Sequence, residues 1–149
     1  MPARFRRERL LIVGCGDVGQ RVLRHVHTGP GTGRMQVLAL TSSADKAAAL
    51  RAKGAVPLVG NLDDIKTLRR LSGLATRVLH LAPPPGEGAG GPSWWRDPRT
   101  VALARVMRLR SLPVSLVYAS TSGVYGDCEG ALVRETRVVA PATPRAQRR

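Results

Sequence analysis

Three glycines, Gly14, Gly16 and Gly19, directly follow the apolar run Leu10–Val13 and precede a helical pattern. Between a strand and a helix, a GxGxxG sequence is typical of a dinucleotide-binding loop. The first glycine permits the tight turn, the second lets a pyrophosphate approach the backbone, and the third lets the helix pack close to the strand. The N–H groups at the helix start and the helix dipole then favour the phosphates. The alternative is a plain strand-to-helix turn. The expected cofactor contacts are Gly14, Gly16, Asp17, Val18 and Gly19.

The choice between NAD and NADP depends on the side chains that follow the second apolar run. NAD sites usually place an Asp or Glu there, about twenty residues beyond the glycines, to bind the adenosine ribose hydroxyls. This chain has Leu40, Thr41, Ser42 and Ser43 instead. No carboxylate repels a 2′-phosphate and no arginine attracts one, so the residues permit both cofactors, with a slight preference for NADP. We expect Thr41 and Ser42 to contact the cofactor.

Two further strand ends supply candidate cofactor contacts. Asn61 could meet an adenine edge as donor and acceptor, whereas Asp63 is expected to cap the following helix. At the end of the fourth run, small residues let the backbone lie against the cofactor. His80 has no carboxylate or cysteine at a catalytic spacing, so a buried or strand-end histidine is the simpler interpretation. The candidate contacts here are Asn61, Leu62, Leu81, Ala82 and Pro83.

The elements that position these residues are short apolar runs alternating with helical patterns. Each run is continuous, as expected where both faces of a parallel sheet are covered. The predicted strands are Leu10–Val13, Val37–Thr41, Val56–Val59, Val78–Ala82 and Val114–Ala119. The predicted helices are Val18–His27, Asp45–Lys53, Ile65–Leu71 and one that opens at Asp97 and runs to about residue 110. The 149 residues therefore predict one Rossmann-type α/β domain over 1–149.

One long connection, Pro83–Pro92, is rich in Pro and Gly and leads to Trp94 and Trp95. A loop at a carboxyl strand end can be a lid over a ligand. The interpretation we favour is that the two tryptophans pack against the fourth helix.

Composition narrows the function classes. The net charge of +14 raises nucleic acid as a partner, but arginines are scattered and aromatic residues make up only 3%, so no stacking platform exists and nucleic-acid binding is not favoured. Cys15 and Cys128 fit neither a disulfide framework nor a metal-ligand spacing. No apolar stretch approaches the ~20 residues of a membrane span. We expect a cytoplasmic protein with free thiols, no metal and no membrane contact.

The fifth strand ends in the stretch 117–127, VYASTSGVYGD, which together with the glycine loop and His80-Leu81-Ala82 resembles the extended short-chain dehydrogenase/reductase family. Nucleotide-sugar epimerases and dehydratases are its familiar members. The resemblance implies a doubly wound sheet of about five strands in the order 3-2-1-4-5, with the cofactor across the carboxyl strand ends. It also implies an oxidoreductase or epimerase-like reaction on a carbonyl or sugar-nucleotide substrate, in which Thr121 bonds the substrate oxygen.

The chain departs from that family at the catalytic Tyr-Lys pair. The tyrosine is expected within Pro144–Arg149, which contains none, and Tyr125 is better explained as a packed ring. The chain therefore resembles atypical members, and a non-catalytic cofactor-binding or redox-sensing module is the alternative function. We also expect a shortened protein without the substrate lobe, an exposed fifth strand, and a basic tail at 145–149 that could be disordered.

Overall fold

Five parallel strands form the centre of the structure, a computed structural model that describes residues 8–28, 35–85 and 95–149. Their order in the sheet is β3-β2-β1-β4-β5, which confirms the expected 3-2-1-4-5 arrangement. Every neighbouring pair is parallel. The strands are β1 Arg9–Val13, β2 Gln36–Thr41, β3 Val56–Val59, β4 Arg77–His80 and β5 Ser115–Tyr118.

The helices lie where the apolar spacing predicted them, with shorter bounds at several ends. They are α1 Asp17–Thr28, α2 Lys46–Ala52, α3 Ile65–Leu68, α4 Pro98–Met107 and α5 Pro144–Gln147, with 3₁₀ turns at Arg69–Leu71 and Ser122–Tyr125. Asp97 caps α4 by accepting a bond from the Arg99 N–H at 3.0 Å, and Pro98 occupies the first helical position. The expected cap of α3 was wrong by one residue, because Asp64 and not Asp63 accepts the bond from the Lys66 N–H.

The core has two layers because successive side chains of each strand point to opposite faces of the sheet. Leu11 and Val13 of β1 pack on the side that Leu103 of α4 covers. Ile12, between them, packs on the opposite side with Leu23 of α1. All of these side chains are essentially inaccessible to solvent, which explains why the strands are continuous apolar runs.

β5 is less protected than the other strands. It lies at the edge of the described sheet, and Leu116 and Val117, which point to opposite faces, are 49% and 59% exposed. Within the part of the chain that the structure describes, no helix following β5 covers either face. An uncovered apolar edge strand is the arrangement expected here from the sequence, and it favours association.

The crevice at the carboxyl end of the sheet depends on how closely β1 approaches β4. The chain moves from β3 back to β4 on the other side of β1, so the strand order reverses between β1 and β4. Directly after β1, Gly14 adopts a φ of +87°. A Cβ atom at Gly14 would lie 2.5 Å from the Ala82 backbone nitrogen, so no larger residue fits without moving the backbone. This close approach sets the shape of the crevice.

We predict that Gly14→Ala lowers the free energy of unfolding by about 3 kcal/mol, since the left-handed backbone and the clash with Ala82 both act against it. Gly130→Ala is the matched control: Gly130 has a φ of +78°, but its Cβ position is open. The control should lose only ~1 kcal/mol, the conformational term alone. Urea unfolding followed by circular dichroism measures both, and equal losses would show that the approach to Ala82 is not tight.

Candidate nucleotide-binding site

Two adjoining cavities lie along the carboxyl ends of the strands. The larger, of about 370 Å³, follows the glycine loop and the end of β2. The smaller, of about 200 Å³, extends towards the end of β3. Gly14, Leu40, Ser42 and Pro83 border both cavities, so the two form one continuous groove. An elongated groove across strand ends at the point of strand-order reversal is where open α/β sheets bind ligands.

The structure brings the predicted cofactor contacts together along this groove. The larger cavity is lined by Gly14, Gly16, Asp17, Val18, Thr41, Ser42, Leu81 and Pro83. The smaller is lined by Gly14, Ser42, Asn61, Leu62, Ala82 and Pro83. Gly19 does not border either cavity. Its Cα lies under the loop, where a Cβ would approach the Gly14 carbonyl and the Ile12 side chain at 3.2 Å, so Gly19 lets α1 pack on β1.

The backbone at Gly16 leaves room for a large ligand group. A Cβ at Gly16 would have no neighbour within 4 Å, in contrast to Gly14. The groove at this point borders the first turn of α1, whose N–H groups have no intrahelical acceptors. An open glycine beside such donors forms a cradle for phosphate oxygens.

Two side chains of the loop determine its local charge. Burial raises the pKa of the Cys15 thiol, with Lys53 opposing, so the thiol is neutral beside the groove. Asp17 is exposed and forms an ion pair with Arg21, one turn along α1, with an Nε–Oδ2 distance of 3.0 Å. Exposed pairs of this kind are weak, and the pairing offsets part of the repulsion that Asp17 would exert on a phosphate.

Lys46 is a groove residue that sequence reasoning missed. It begins α2 and borders the larger cavity with Thr41 and Ser42, on the side where the ribose of a bound adenosine is expected. Lys46 lies three residues beyond Ser43, close enough in sequence for its charge to have been a candidate. Thr41 itself is engaged locally, because its hydroxyl donates to the Ser43 carbonyl and accepts from the Ser43 N–H, both at 3.2 Å.

An Arg99–Asp63 clasp forms the far wall of the groove. The Arg99 guanidinium donates to Asp63 Oδ1 at 2.7 Å from Nε and to Oδ2 at 2.6 Å from Nη2, and Nη1 donates to the Pro83 carbonyl at 3.1 Å. The hydrogen bond to Arg99 lowers the pKa of Asp63, with partial burial opposing, and raises that of Arg99. Asn61, beside the clasp, accepts the Asp63 N–H through its side-chain oxygen, which leaves its amide group as a donor.

His80 belongs to a buried chain of polar groups beneath the groove. Its Nε2 lies 2.9 Å from the Thr100 hydroxyl, which donates to Asp97 Oδ2 at 2.5 Å. Because that hydroxyl hydrogen is used on Asp97, His80 donates from Nε2, so the neutral form of the ring is the Nε2–H tautomer. The expected buried histidine is confirmed, since none of it is solvent-exposed. Asp97, 17 residues further along the sequence, is connected to His80 through Thr100 and not directly.

Burial is the main reason that the pKa of His80 is lowered from its ordinary value near 6.5; Asp97 opposes this shift and Arg149 adds to it. The ring also packs against Tyr118 of β5 at a centroid distance of 5.2 Å. His80 therefore fastens the end of β4 to both α4 and β5.

Thr121, the catalytic candidate, lies apart from the groove lining. It caps the 3₁₀ turn Ser122–Tyr125, with its Oγ1 accepting the Gly123 N–H at 3.3 Å, and it is exposed. Tyr125 borders a separate, open cavity of about 450 Å³ together with Cys128 and Arg134. The structure does not bring Thr121 to the groove.

Several other expectations concern segments around the groove. Most of the proposed lid, residues 86–92, lies outside the described residues, as does Trp94. Trp95 is half exposed, with the Arg96 guanidinium 4.6 Å from its ring. Over the described ranges, no group of three or more His, Cys, Asp or Glu side chains could hold a metal ion. No described helix has the length and apolar character needed to cross a membrane.

Comparison with known proteins agrees with this architecture. Residues 10–81 match the TrkA-N domain, a Rossmann NAD-binding domain. A conserved Silicibacter pomeroyi protein of unknown function is similar in structure, with a TM-score of 0.67 and 26% identity over 95% of this chain and 46% of its own. No curated protein sequence matches the chain.

Two further solved structures share the fold. The Helicobacter pylori ADP-L-glycero-D-manno-heptose-6-epimerase has a TM-score of 0.69 and 18% identity over 94% of this chain and 47% of its own. An Agrobacterium tumefaciens short-chain dehydrogenase/reductase superfamily protein with bound NAD has a TM-score of 0.64 and 21% identity over 93% of this chain and 41% of its own. The chain thus spans about half the length of these proteins. The Rossmann-type fold that the family resemblance implied is confirmed.

The buried His80 should make stability depend on pH. Because folding lowers its pKa, the unfolded chain binds the proton more readily, so the free energy of unfolding falls as the pH drops below about 6.5. We predict a smaller fall between pH 7 and pH 5 for His80→Gln than for the parent. His25→Gln, at an exposed position of α1, should keep the parent slope. Urea unfolding at several pH values measures this, and parallel slopes for all three proteins would contradict it.

Proposed function

We propose that this chain, a Rossmann-fold protein with a TrkA-N domain over residues 10–81, binds a nicotinamide dinucleotide and prefers NADP(H) to NAD(H). The observation that carries the proposal is the open cradle at Gly16, whose Cβ position is empty to 4 Å beside the start of α1. In this loop the tight turn and the helix packing are served by Gly14 and Gly19. Gly16, with open space around it, serves neither purpose, so the approach of a ligand explains it best.

The length and chemistry of the groove support a dinucleotide. From Gly16 it continues past Ser42 to Asn61, which places hydroxyl and amide groups where a ribose and an adenine would follow a pyrophosphate. The remaining lining is largely apolar, with Leu40 and Leu62 available to contact the adenine faces. A few polar groups on an apolar wall are the usual lining of a small-molecule site.

Lys46 supports the preference for NADP(H). A 2′-phosphate on the adenosine ribose would lie near Ser42 and Lys46, whereas the carboxylate that selects NAD is replaced by these residues. An ammonium group at a helix N-terminus forms charge-assisted hydrogen bonds with a phosphate. The neighbouring Asp45 is not part of the groove lining.

The groove supports binding more strongly than turnover. For an oxidoreductase or epimerase-like reaction on a carbonyl or sugar-nucleotide substrate, Thr121 is the candidate, and its hydroxyl hydrogen is free to donate because the cap uses only its oxygen. However, the two tyrosines of the sequence, Tyr118 and Tyr125, have Ser122 and Glu129 four residues later and no lysine. A tyrosine with a pKa near 10 is a poor base without such a cation. We therefore propose a cofactor-binding module, which turnover of such a substrate would disprove.

Calorimetric titration should show saturable binding of NADPH, and Gly16→Val should abolish it by filling the phosphate cradle. Because the position is open and has no positive φ, this variant should fold as stably as the parent. Melting curves for both proteins provide the check. A folded parent that binds neither NADPH nor NADH would rule out the proposal.

Lys46→Ala should weaken NADPH binding about tenfold and leave NADH binding within a factor of two, since only NADPH carries the phosphate that Lys46 would contact. Lys66→Ala, an exposed lysine on α3 outside the groove lining, is the matched control for the loss of one charge. If Lys46→Ala weakened NADPH and NADH binding equally, or if Lys66→Ala weakened NADPH binding as much as Lys46→Ala, the argument for NADP would be lost.

A further inference from the structure

The segment from α5 to Arg149 lies across the carboxyl ends of β4 and β5. Arg149 donates to the Ala119 carbonyl through Nη1 and to the Ala82 carbonyl through Nη2, the latter at 3.3 Å. Its guanidinium also lies over the Tyr118 ring, 4.9 Å from the centroid. Next to it, Arg148 is only 8% exposed and donates to the Pro85 carbonyl at 3.0 Å. Arg148 and Arg149 thus make specific contacts with the chain just beyond the ends of β4 and β5.

Ala82 connects this segment to the groove. It lines the smaller cavity beside Gly14, and its carbonyl accepts the bond from Arg149. The groove described above covers the β1, β2 and β3 ends, the side that holds adenosine in this fold, and Leu81, Ala82 and Pro83 after β4 form its border. A dinucleotide crosses the point of strand-order reversal, so its second half must continue over the ends of β4 and β5. Arg149 already occupies that position.

We infer that Arg149 closes the nicotinamide half of the site, which makes the groove selective for ligands of the adenosine 2′,5′-bisphosphate class over the complete dinucleotide. The inference rests on the proposed function and adds to it which part of the ligand the site admits without rearrangement. A complete dinucleotide binds only after the Arg149 guanidinium leaves the two carbonyl groups and the Tyr118 ring.

The contacts of Arg149 make its displacement unfavourable. Hydrogen bonds from a charged donor are stronger than neutral ones, and stacking on Tyr118 adds to them. When the guanidinium leaves, the Ala82 and Ala119 carbonyl groups lose a donor that the ligand must replace. The apparent affinity for the dinucleotide equals the intrinsic affinity multiplied by the fraction of molecules in which the site is open. An adenosine bisphosphate stays within the groove, does not extend to the position of the Arg149 guanidinium, and avoids this loss.

The test compares two ligands, adenosine 2′,5′-bisphosphate and NADPH, on the full-length parent and on Arg149→Ala. We expect Arg149→Ala to tighten NADPH binding about tenfold and to leave the bisphosphate affinity unchanged. Arg145→Ala is the matched control, because Arg145 is an exposed arginine of α5, four residues before Arg149, and its loss changes the net charge equally. The control should alter neither affinity.

The remaining outcomes separate the two proposals. If the parent binds neither ligand, the proposed function fails and the inference fails with it. If the bisphosphate binds but Arg149→Ala leaves NADPH affinity unchanged or lowers it, only the inference is wrong, and in the second case Arg149 contacts the ligand. Unchanged bisphosphate affinity also shows that Arg149→Ala is folded. Arg149→Met, which keeps a long side chain over Tyr118, repeats the test should the alanine variant fold poorly.

Discussion

The approach of β1 to β4 at Gly14 and Ala82 is the contact on which the site depends. Gly14 and Ala82 lie so close that not even a methyl group fits between them, at the point where the strand order reverses. After Gly14 the chain turns into α1, and Gly16 faces open space. The close packing of Gly14 is therefore followed two residues later by a backbone that a ligand can reach. The groove is thus a consequence of backbone packing, and the side chains around it adjust its charge and length.

Polar contacts of α4 complete the wall of the groove. Asp97 uses one carboxylate oxygen to cap α4 and the other to accept the Thr100 hydroxyl, which in turn binds His80 at the end of β4. Arg99, in the same helical turn, reaches Asp63 after β3. One turn of helix therefore joins the ends of two strands that lie on opposite sides of β1. These charge-assisted and hydroxyl hydrogen bonds fix the position of α4 against the ends of β3 and β4.

Much of the fold was predictable because its signals are local. Continuous apolar runs and the placement of three glycines follow from neighbouring residues, and they gave the strands, the loop and its helix correctly. The groove residues that were missed are Lys46, Arg99 and Arg149. Lys46 lies close in sequence to the β2 end, whereas Arg99 and Arg149 contact strand ends from other segments, and side-chain contacts of that kind are set by tertiary packing. His80 shows the same limit, since its carboxylate partner lies 17 residues away and is reached through Thr100.

Net charge and local charge have different consequences for ligand choice. With 24 basic and 10 acidic residues, the chain attracts any nucleotide, and this long-range attraction raises the encounter rates of NAD and NADP alike. Salt screens it over about 8 Å at physiological ionic strength. Discrimination between the two cofactors must therefore come from a cation within contact distance of the 2′-phosphate. In the proposed function Lys46 supplies this cation on the ribose side, and in the further inference Arg149, on the other side of β1, limits the length of the ligand. Under these two proposals, opposite sides of β1 select different features of the same ligand.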